Sequence, residues 1–220
     1  MPAKMMKQLR SRKQEIIDTL TFPFRAITIF EEDRWGLSSL RTERFDYVAR
    51  EVSGYCLDVG CGRNNIFIRK ILKNQGKGID VFAYEGLKKD EVLNDITHFP
   101  FPDKSFDSVT FIANLNHVPM PDRDTELQEA FRVLKNGGNV VVTMGNPFIE
   151  ILAHKSVAFY TLVFHAKVDM DSERGMKEGE NYYLRKSEIL SRLEKAGFHQ
   201  LIKKRFFSQW GLNSLYVGWK

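Results

Sequence analysis

A glycine-rich turn carries the clearest chemical signal in this sequence. Asp58-Val59-Gly60-Cys61-Gly62 follows directly on the apolar run of residues 55–57. Glycines at the end of a buried strand let a ligand approach the backbone, and the N-terminus of a following helix would point its N–H groups at that ligand. The turn therefore predicts a ligand site, and the neighbouring charges must identify the ligand.

Two acidic residues favour a cationic nucleoside over a dinucleotide. A dinucleotide-binding turn would read G-x-G-x-x-G, but position 65 is Asn65 rather than glycine. Asp58 would repel a diphosphate, whereas it would attract the ammonium and sulfonium groups of S-adenosylmethionine (SAM). Asp80 follows the turn by about twenty residues, where a carboxylate can accept hydrogen bonds from both ribose hydroxyls. We therefore expect SAM rather than NAD, although an aspartate at a strand end can also serve as a cap or turn residue.

His117 is the candidate general base. It lies just beyond a predicted strand, at the edge of a parallel sheet where ligands gather, and imidazole accepts protons near neutral pH. The alternative is a structural histidine bonded to the backbone. Transfer of a group from a sulfonium releases a neutral leaving group, so a base is needed only if the acceptor must lose a proton. The other histidines are scattered, and we expect no metal site.

Alternating strand-like and helix-like segments must position these residues. Repeated βα units predict a parallel sheet with helices on both faces, and a terminal hairpin would add an antiparallel edge. The predicted fold is α/β, with a Rossmann-like, seven-stranded, mostly parallel sheet and an N-terminal helical extension. The predicted strands and hairpin arms are residues 55–59, 78–82, 91–93, 106–112, 140–142, 200–207 and 213–219, and the predicted helices are 4–19, 38–52, 65–72, 125–134 and 187–196. Residues 25–37 are expected to be irregular, and Ser38-Ser39 could cap the second helix.

Two regions fall outside the repeated units. Residues 1–50 are expected to form a helical extension or cap, and residues 51–220 the ligand-binding domain. Within that domain, an insertion at about 148–183 is predicted to contain a helix and a loop over 167–181 that could act as a lid. Aromatic residues in 20–45 and in the insertion could wall an apolar acceptor pocket, or simply pack the helices onto the sheet.

Composition limits the remaining function classes. The 220 residues suit one α/β domain, and 43% hydrophobic residues suffice for a large core. The net charge of +5 equals the five basic residues that precede the first acidic one, so a globally basic nucleic-acid surface is not indicated. That basic start could contact an anionic surface weakly, or be a solvated helix.

The two cysteines lie too close for a disulfide framework, and neither a signal peptide nor a membrane-spanning run is visible, so we expect a cytoplasmic protein.

Four stretches together resemble the class I SAM-dependent methyltransferases, particularly the small-molecule group that includes ubiquinone and menaquinone enzymes. The resemblance covers roughly residues 50–145. It rests on residues 57–62, on Gly78-Ile79-Asp80-Val81, on 94–107 and on 129–138. The family often has glycine where this chain has Asn64 and proline where it has Asn136; Asn64 need not destroy the turn, because asparagine tolerates left-handed backbone angles.

The resemblance also implies roles for individual residues. Asp58 and the carbonyl of Asn114 would lie near the ammonium group of SAM, Asp80 would hold the ribose, and Asp95 would accept from the adenine amino group. The full set implied to bind the cofactor is Asp58, Gly60, Cys61, Gly62, Asp80, Val81, Asp95, Ile96 and Asn114.

The resulting functional hypothesis is methyl transfer from SAM to a small-molecule acceptor, apolar or aromatic. An RNA or protein methyltransferase, or a SAM-binding protein without catalysis, is the alternative. The sequence leaves open which acceptor is used, which of its atoms receives the methyl group, and the oligomeric state.

Overall fold

The short apolar runs assemble into one mixed sheet in a computed structural model that describes residues 7, 9–28, 32–95, 97–146 and 184–220. Among these residues the sheet has six strands, in the order β2-β1-β3-β4-β6-β5. Strands β1 to β4 pair in parallel, and β6 runs antiparallel to both β4 and β5. The strands are β1 (Cys56–Val59), β2 (Gly76–Ile79), β3 (Phe106–Ile112), β4 (Leu134–Gly145), β5 (His199–Arg205) and β6 (Asn213–Trp219).

The described sheet differs from the predicted one by one strand. Residues 91–93 contribute only an isolated parallel bridge between Asp80 and Val92, because Lys89–Glu91 forms a 3₁₀ turn that leaves no length for a strand. The second strand also begins earlier than expected. A β-carbon at Gly76 would lie 2.1 Å from the carbonyl oxygen of Cys56, so glycine permits the close approach of β2 to β1.

Helices cover both faces of the sheet, as predicted. Helices α4 (Arg123–Val133) and α5 (Lys186–Lys195) pack on one face, and α3 (Leu40–Glu51) packs on the other. Each face of the sheet has its own hydrophobic core, and β4 contributes to both because side chains alternate along a strand. Val140 and Val142 pack in the core beneath α4 and α5, and Val141 packs in the core beneath α3.

The helix predicted at 65–72 takes a different form. A 3₁₀ turn, Arg63–Asn65, is followed by a single π-helical turn, Phe67–Ile71. Asn64 and Asn65 have positive φ values, 61° and 45°, which interrupt a regular α-helix. The left-handed conformation predicted as tolerable at Asn64 is therefore the one that the chain adopts.

Two N-terminal helices precede α3. Helix α1 (Arg12–Leu20) begins after Ser11, whose hydroxyl accepts from the amide of Gln14 at 3.2 Å, so its described part is shorter than the predicted helix 4–19. Helix α2 (Phe22–Thr28) occupies part of the stretch predicted as irregular, because a proline in the first helical turn loses no hydrogen bond. At α3, the predicted cap is present: Ser39 accepts from the amide of Thr42 at 3.1 Å.

A buried group of charges ties these helices to the sheet. We call Arg10, Asp18, Arg25 and Glu43 the N-terminal ion cluster. The Arg10 guanidinium lies 2.6 Å from Asp18 and 2.8 Å from Glu43, and Arg25 lies 2.9 Å from Glu43. Arg25 also donates to the carbonyl of Ser208, in the connection between β5 and β6. The N-terminal helices are thus attached by charge pairing as well as by apolar contact.

Three sets of predictions lie outside the described residues: those on the insertion at about 148–183, on Ile96, and on Lys4 among the early basic residues. Within the described ranges, no helix combines the length and the apolar character needed to span a bilayer.

Candidate cofactor site

The glycine turn lies between β1 and the 3₁₀ turn and is fixed by its backbone. The amides of Gly60 and Cys61 both donate to the carbonyl of Ile79, at 2.8 and 3.1 Å. Gly60 has φ 74°, and a β-carbon there would lie 2.2 Å from the side chain of Asn114. Gly62 has φ 62°, and no described atom would lie within 4 Å of a β-carbon there, so its backbone is open to a ligand.

Asp80 joins this turn to the end of β2. One carboxylate oxygen accepts from the amide of Gly62 at 2.9 Å, and the other accepts from the amide of Phe82 at 3.0 Å. The bond to Phe82, two residues further on, is typical of an aspartate in a turn. Asp80 therefore also has the turn role that was its alternative interpretation. The residue nevertheless lines the cavity described next, as the ligand hypothesis requires.

A cavity of about 790 Å³ opens at the carboxyl ends of the parallel strands. It is large enough for a nucleoside ligand together with part of a second molecule. Asp58 and Cys61 are absent from its lining, and Ile96 lies outside the described residues. The predicted site residues that the fold brings together on its wall are Gly60, Gly62, Asp80, Val81, Asp95, Asn114 and His117.

Asp58 lies behind the turn rather than on the cavity wall. Its side chain is buried and accepts from the hydroxyl of Thr110 at 2.7 Å. Burial is the main reason that its pKa is raised to about 7. The bond from Thr110 opposes this rise, and the negative charge of Asp80 contributes to it. A positive ligand beyond the turn would favour the ionised form, so Asp58 can act on such a ligand only through its field.

Cys61 is a buried structural thiol. Burial and the nearby carboxylates of Asp58 and Asp80 raise its pKa well above the ordinary value, which disfavours the nucleophilic thiolate. Asp95, in contrast, is exposed. One of its oxygens accepts from both the amide and the hydroxyl of Thr97, and these bonds lower the pKa of Asp95, so it is ionised at neutral pH.

His117 lies on the cavity wall in a segment that α4 holds in place. Its amide donates to the carbonyl of Asn114 at 2.7 Å, and its Nε2 is 3.3 Å from the side-chain nitrogen of Asn116. Arg123, at the start of α4, donates to the carbonyls of Val118 and Asn116 on either side. The imidazole is therefore presented by a backbone that the helix fixes at two points.

The described aromatic residues of 20–45, which could have formed a wall of the acceptor pocket, do not line the cavity. Phe22 packs against Trp210, with ring centroids 5.7 Å apart, and Phe24 packs against Trp35. From this stretch the cavity lining contains only Arg44 among the described residues. The rings instead take the alternative role, packing the N-terminal helices.

Comparison with known proteins identifies the cavity's chemistry. The methyltransferase domain family matches residues 57–142, the stretch that holds the glycine turn, Asp80, Asn114 and His117. A ubiquinone/menaquinone biosynthesis C-methyltransferase of Brucella canis is 27% identical over 187 residues, which cover 74% of this chain and 68% of the relative. These matches support a class I SAM-dependent methyltransferase.

Solved structures show the same fold at low sequence identity. A SAM-dependent methyltransferase of Thermotoga maritima superposes with a TM-score of 0.59 at 18% identity, covering 82% of this chain and 89% of that one. Phosphoethanolamine N-methyltransferase 2 of Haemonchus contortus, in complex with SAM, gives a TM-score of 0.54 at 15% identity and covers 96% of this chain and 58% of that one.

The charges of the methyltransferase's cavity fit its cofactor, SAM. Acidic groups outnumber basic ones on the lining, and SAM carries positive charge on its sulfonium and ammonium groups without a phosphate. The acidic residues on the lining are Asp80, Asp95, Asp122 and the buried Glu126, and the basic ones are Arg44 and Arg63, so the acidic residues are in excess with or without Glu126. In the described part of the chain, no group of three or more histidine, cysteine or acidic side chains is arranged to hold a metal ion.

Glu126 is the site residue that the sequence analysis missed. It lines the cavity from α4 and is 1% exposed. A signal was present: the buried residues of this helix are Arg123, Glu126, Leu127, Ala130 and Val133, at the three- and four-residue spacing of an inward-facing stripe. A carboxylate within such a stripe indicates either a buried ion pair or a site.

Proposed function

We propose that this methyltransferase transfers the methyl group of SAM to a small-molecule acceptor, apolar or aromatic. The observation that carries the proposal is the extent of the cavity. Besides the glycine turn and His117, its wall includes the side chains of Ile112, Val118 and Met144, so an apolar group could bind in the same cavity as the cofactor. The named activity of the Brucella relative, in ubiquinone and menaquinone biosynthesis, supports the same acceptor class.

We propose that the predicted site residues divide the cofactor between them. The open backbone of Gly62 and the carbonyl of Asn114 would receive the methionine part, and Asp80 the ribose. Val81 and Asp95, which follow β2 and the isolated bridge, would contact the adenine, with Ile96 beside them as a prediction. Asp58 would stabilise the ammonium group from behind the turn, where a positive charge and the buried carboxylate favour each other.

The chemistry requires positioning more than acid–base groups. When bound, SAM supplies an electrophilic methyl group on a sulfonium, and the departing thioether is neutral. The chain's task is therefore to hold the acceptor atom in line and to exclude water. His117, on the cavity wall, would take the proton from an acceptor that must lose one.

The domain division and the lid remain proposals. We propose that residues 1–50 cap the domain of residues 51–220; the contribution of Arg44 to the cavity wall supports this arrangement. The insertion at about 148–183 would complete the acceptor pocket and close over it. Protection of this segment from proteolysis by S-adenosylhomocysteine would support a lid.

The basic N-terminus offers little support for an RNA or protein acceptor. Lys7 donates to the carbonyl of Val52, and Arg10 belongs to the N-terminal ion cluster. Of the five early basic residues, these two are engaged inside the molecule, whereas Arg12 and Lys13 are exposed. A double variant, Arg12→Glu with Lys13→Glu, should therefore leave methyl transfer to a small molecule unchanged, and should weaken transfer to RNA.

The decisive experiment is acceptor discovery with methyl-labelled SAM. The purified chain is incubated with cell extract separated into small molecules, lipids, RNA and protein, and label should enter a low-molecular-weight compound. Asp80→Asn, which weakens the proposed ribose contact, is the matched control and should label the same compound more slowly. Label in RNA or protein would contradict the acceptor class, and cofactor binding without label in any fraction would contradict catalysis.

A further inference from the structure

Glu126 combines deep burial with an uncompensated carboxyl group. Its side chain is 1% exposed and lines the cavity, and its Oε2 has no hydrogen-bond partner among the described residues. Leaving a buried polar atom unpaired costs free energy, so such an atom in a cavity wall calls for an explanation. A hydrogen bond to a bound ligand is one that the position of this atom allows.

The direction of α4 shows which part of the cavity Glu126 faces. One turn further along the same face, Glu129 accepts from the backbone amide of Phe99 at 2.8 Å. Side chains three residues apart on a helix are neighbours, so Glu126 lies towards the segment of residues 93–99. Leu93 and Phe99 of that segment line the cavity together with Val81. This is the end of the cavity at which the adenine contacts are proposed.

We propose that Glu126 recognises the adenine base of SAM through a neutral carboxylic acid. A protonated carboxyl offers one hydrogen-bond donor beside one acceptor. Adenine presents the complementary pair, because a ring-nitrogen acceptor lies next to the amino-group donor. An ionised carboxylate could only accept, and it would repel the ring nitrogen. The inference rests on SAM as the cofactor and does not depend on the acceptor.

The charges around Glu126 favour its neutral form. Burial, then the negative charges of Asp122 and Asp80, raise its pKa to about 8. Two cations on the same helix are engaged elsewhere: Arg123 donates to two backbone carbonyls, and Arg132 pairs with Glu129. On the packed helix α5, Arg192 and Lys195 bind Asp124. The other charged or titratable groups on the cavity wall are Arg44, Arg63, Asp95 and His117. At neutral pH the group is therefore mostly protonated.

The test is calorimetric binding of S-adenosylhomocysteine to the full chain between pH 6.5 and 9.5. Wild-type affinity should fall as the pH rises through about 8, where Glu126 ionises. Glu126→Gln keeps a donor and an acceptor without ionising, so the ratio of wild-type affinity to the affinity of this variant should fall over the range. The ratio cancels the titration of Asp58 and of the ligand's own amino group, which both proteins share. Glu126→Ala should bind about ten-fold more weakly at pH 7, which corresponds to the loss of about one hydrogen bond. Gln128→Ala, an exposed change on the same helix, is the matched control and should behave as wild type.

A second arm asks whether the contact is to the base. The inosine analogue of S-adenosylhomocysteine has an oxo group in place of the amino group, so wild type should prefer the adenine ligand, and Glu126→Ala should show a smaller preference.

Three results would overturn the inference: an alanine variant that binds as wild type at every pH, a ratio of wild-type to Glu126→Gln affinity that does not change with pH, or an unchanged base preference in Glu126→Ala. If the alanine variant does not fold, the pH profile of this ratio decides alone. A chain that binds the ligand as expected but methylates no small molecule would contradict the proposed acceptor and leave this inference standing.

Discussion

The N-terminal ion cluster and the cofactor cavity both bury carboxylates, but they treat them in opposite ways. In the cluster, Asp18 and Glu43 each contact a guanidinium within 2.9 Å. At the cavity, Asp58 is bonded to a hydroxyl, and Glu126 has an oxygen without a partner among the described residues. Burial alone would raise the pKa of Asp18, yet bonds from Ser38, Gln14 and Arg10 lower it, whereas burial raises that of Asp58 to about 7.

This contrast separates attachment from binding. A carboxylate that is fully paired within the chain fixes the N-terminal helices and has nothing left to offer a ligand. A carboxylate held without a counter-ion costs stability in the empty protein, and that cost is partly recovered when a cationic or hydrogen-bonding ligand arrives. Three substitutions, taken in order of decreasing effect, test whether this contrast holds.

Removing a paired carboxylate should have the largest effect. Glu43→Ala leaves Arg10 and Arg25 buried without one of their partners, and we expect a loss of about 3–5 kcal/mol in the free energy of unfolding. Urea denaturation measures this. Lys135→Ala, at the more exposed pair with Asp107, is the control and should cost about 1 kcal/mol or less. A loss of similar size in both variants would show that the buried cluster is no more important than a surface ion pair.

Removing the carboxylate behind the glycine turn should have a smaller and pH-dependent effect. Because the pKa of Asp58 is raised to about 7, the folded chain holds a proton that the unfolded chain releases above about pH 4, so its contribution to stability falls as the pH rises from about 4 to 7. Asp58→Asn should remove this slope from the urea titration and raise stability at pH 8. The same variant should weaken SAM binding about ten-fold, because it removes the negative charge proposed to stabilise the ammonium group of SAM. Stability that keeps the wild-type slope would refute the assignment.

Protonating Asp18 in the cluster should give the smallest effect on stability. Here stability should fall as the pH is lowered, which is the opposite of the trend expected for Asp58. The pKa of Asp18 is lowered in the folded chain, so its contribution to stability is present above the unfolded value of about 3.9 and is lost as the pH falls below it. Urea midpoints between pH 5 and pH 2.5 should therefore drop more steeply in wild type than in Asp18→Asn. Equal slopes in the two proteins would mean that the Ser38 and Gln14 bonds do not favour the ionised form.

Local patterns explain what the sequence could predict. The glycine turn, Asp80, the strand at 106–112 and the cap at Ser39 are all encoded within a few residues, and the structure places them as expected. The parallel arrangement then gathers the ends of separate strands at one edge, so most of the predicted site residues line one cavity.

Long-range contacts explain what it could not predict. Glu43 accepts from Gln209, 166 residues away, so no local pattern could reveal the N-terminal ion cluster. The position of Asp58 behind the turn depends on Thr110 of a neighbouring strand. Among the described residues, the strand predicted at 91–93 is absent for a different reason: the 3₁₀ turn at Lys89–Glu91 uses the residues that this strand would have needed.

The position of β6 has a consequence for how fast the sheet can close. This strand pairs with β4 from Asn139 opposite Trp219 to Gly145 opposite Asn213, so two distant stretches must meet before the antiparallel half can form. Folding slows as contacts become more distant in sequence, whereas doubling the length of a flexible connection costs only about 0.6 kcal/mol. Relatives with longer or shorter segments between β4 and β6 should therefore differ more in their refolding rates than in their equilibrium stability.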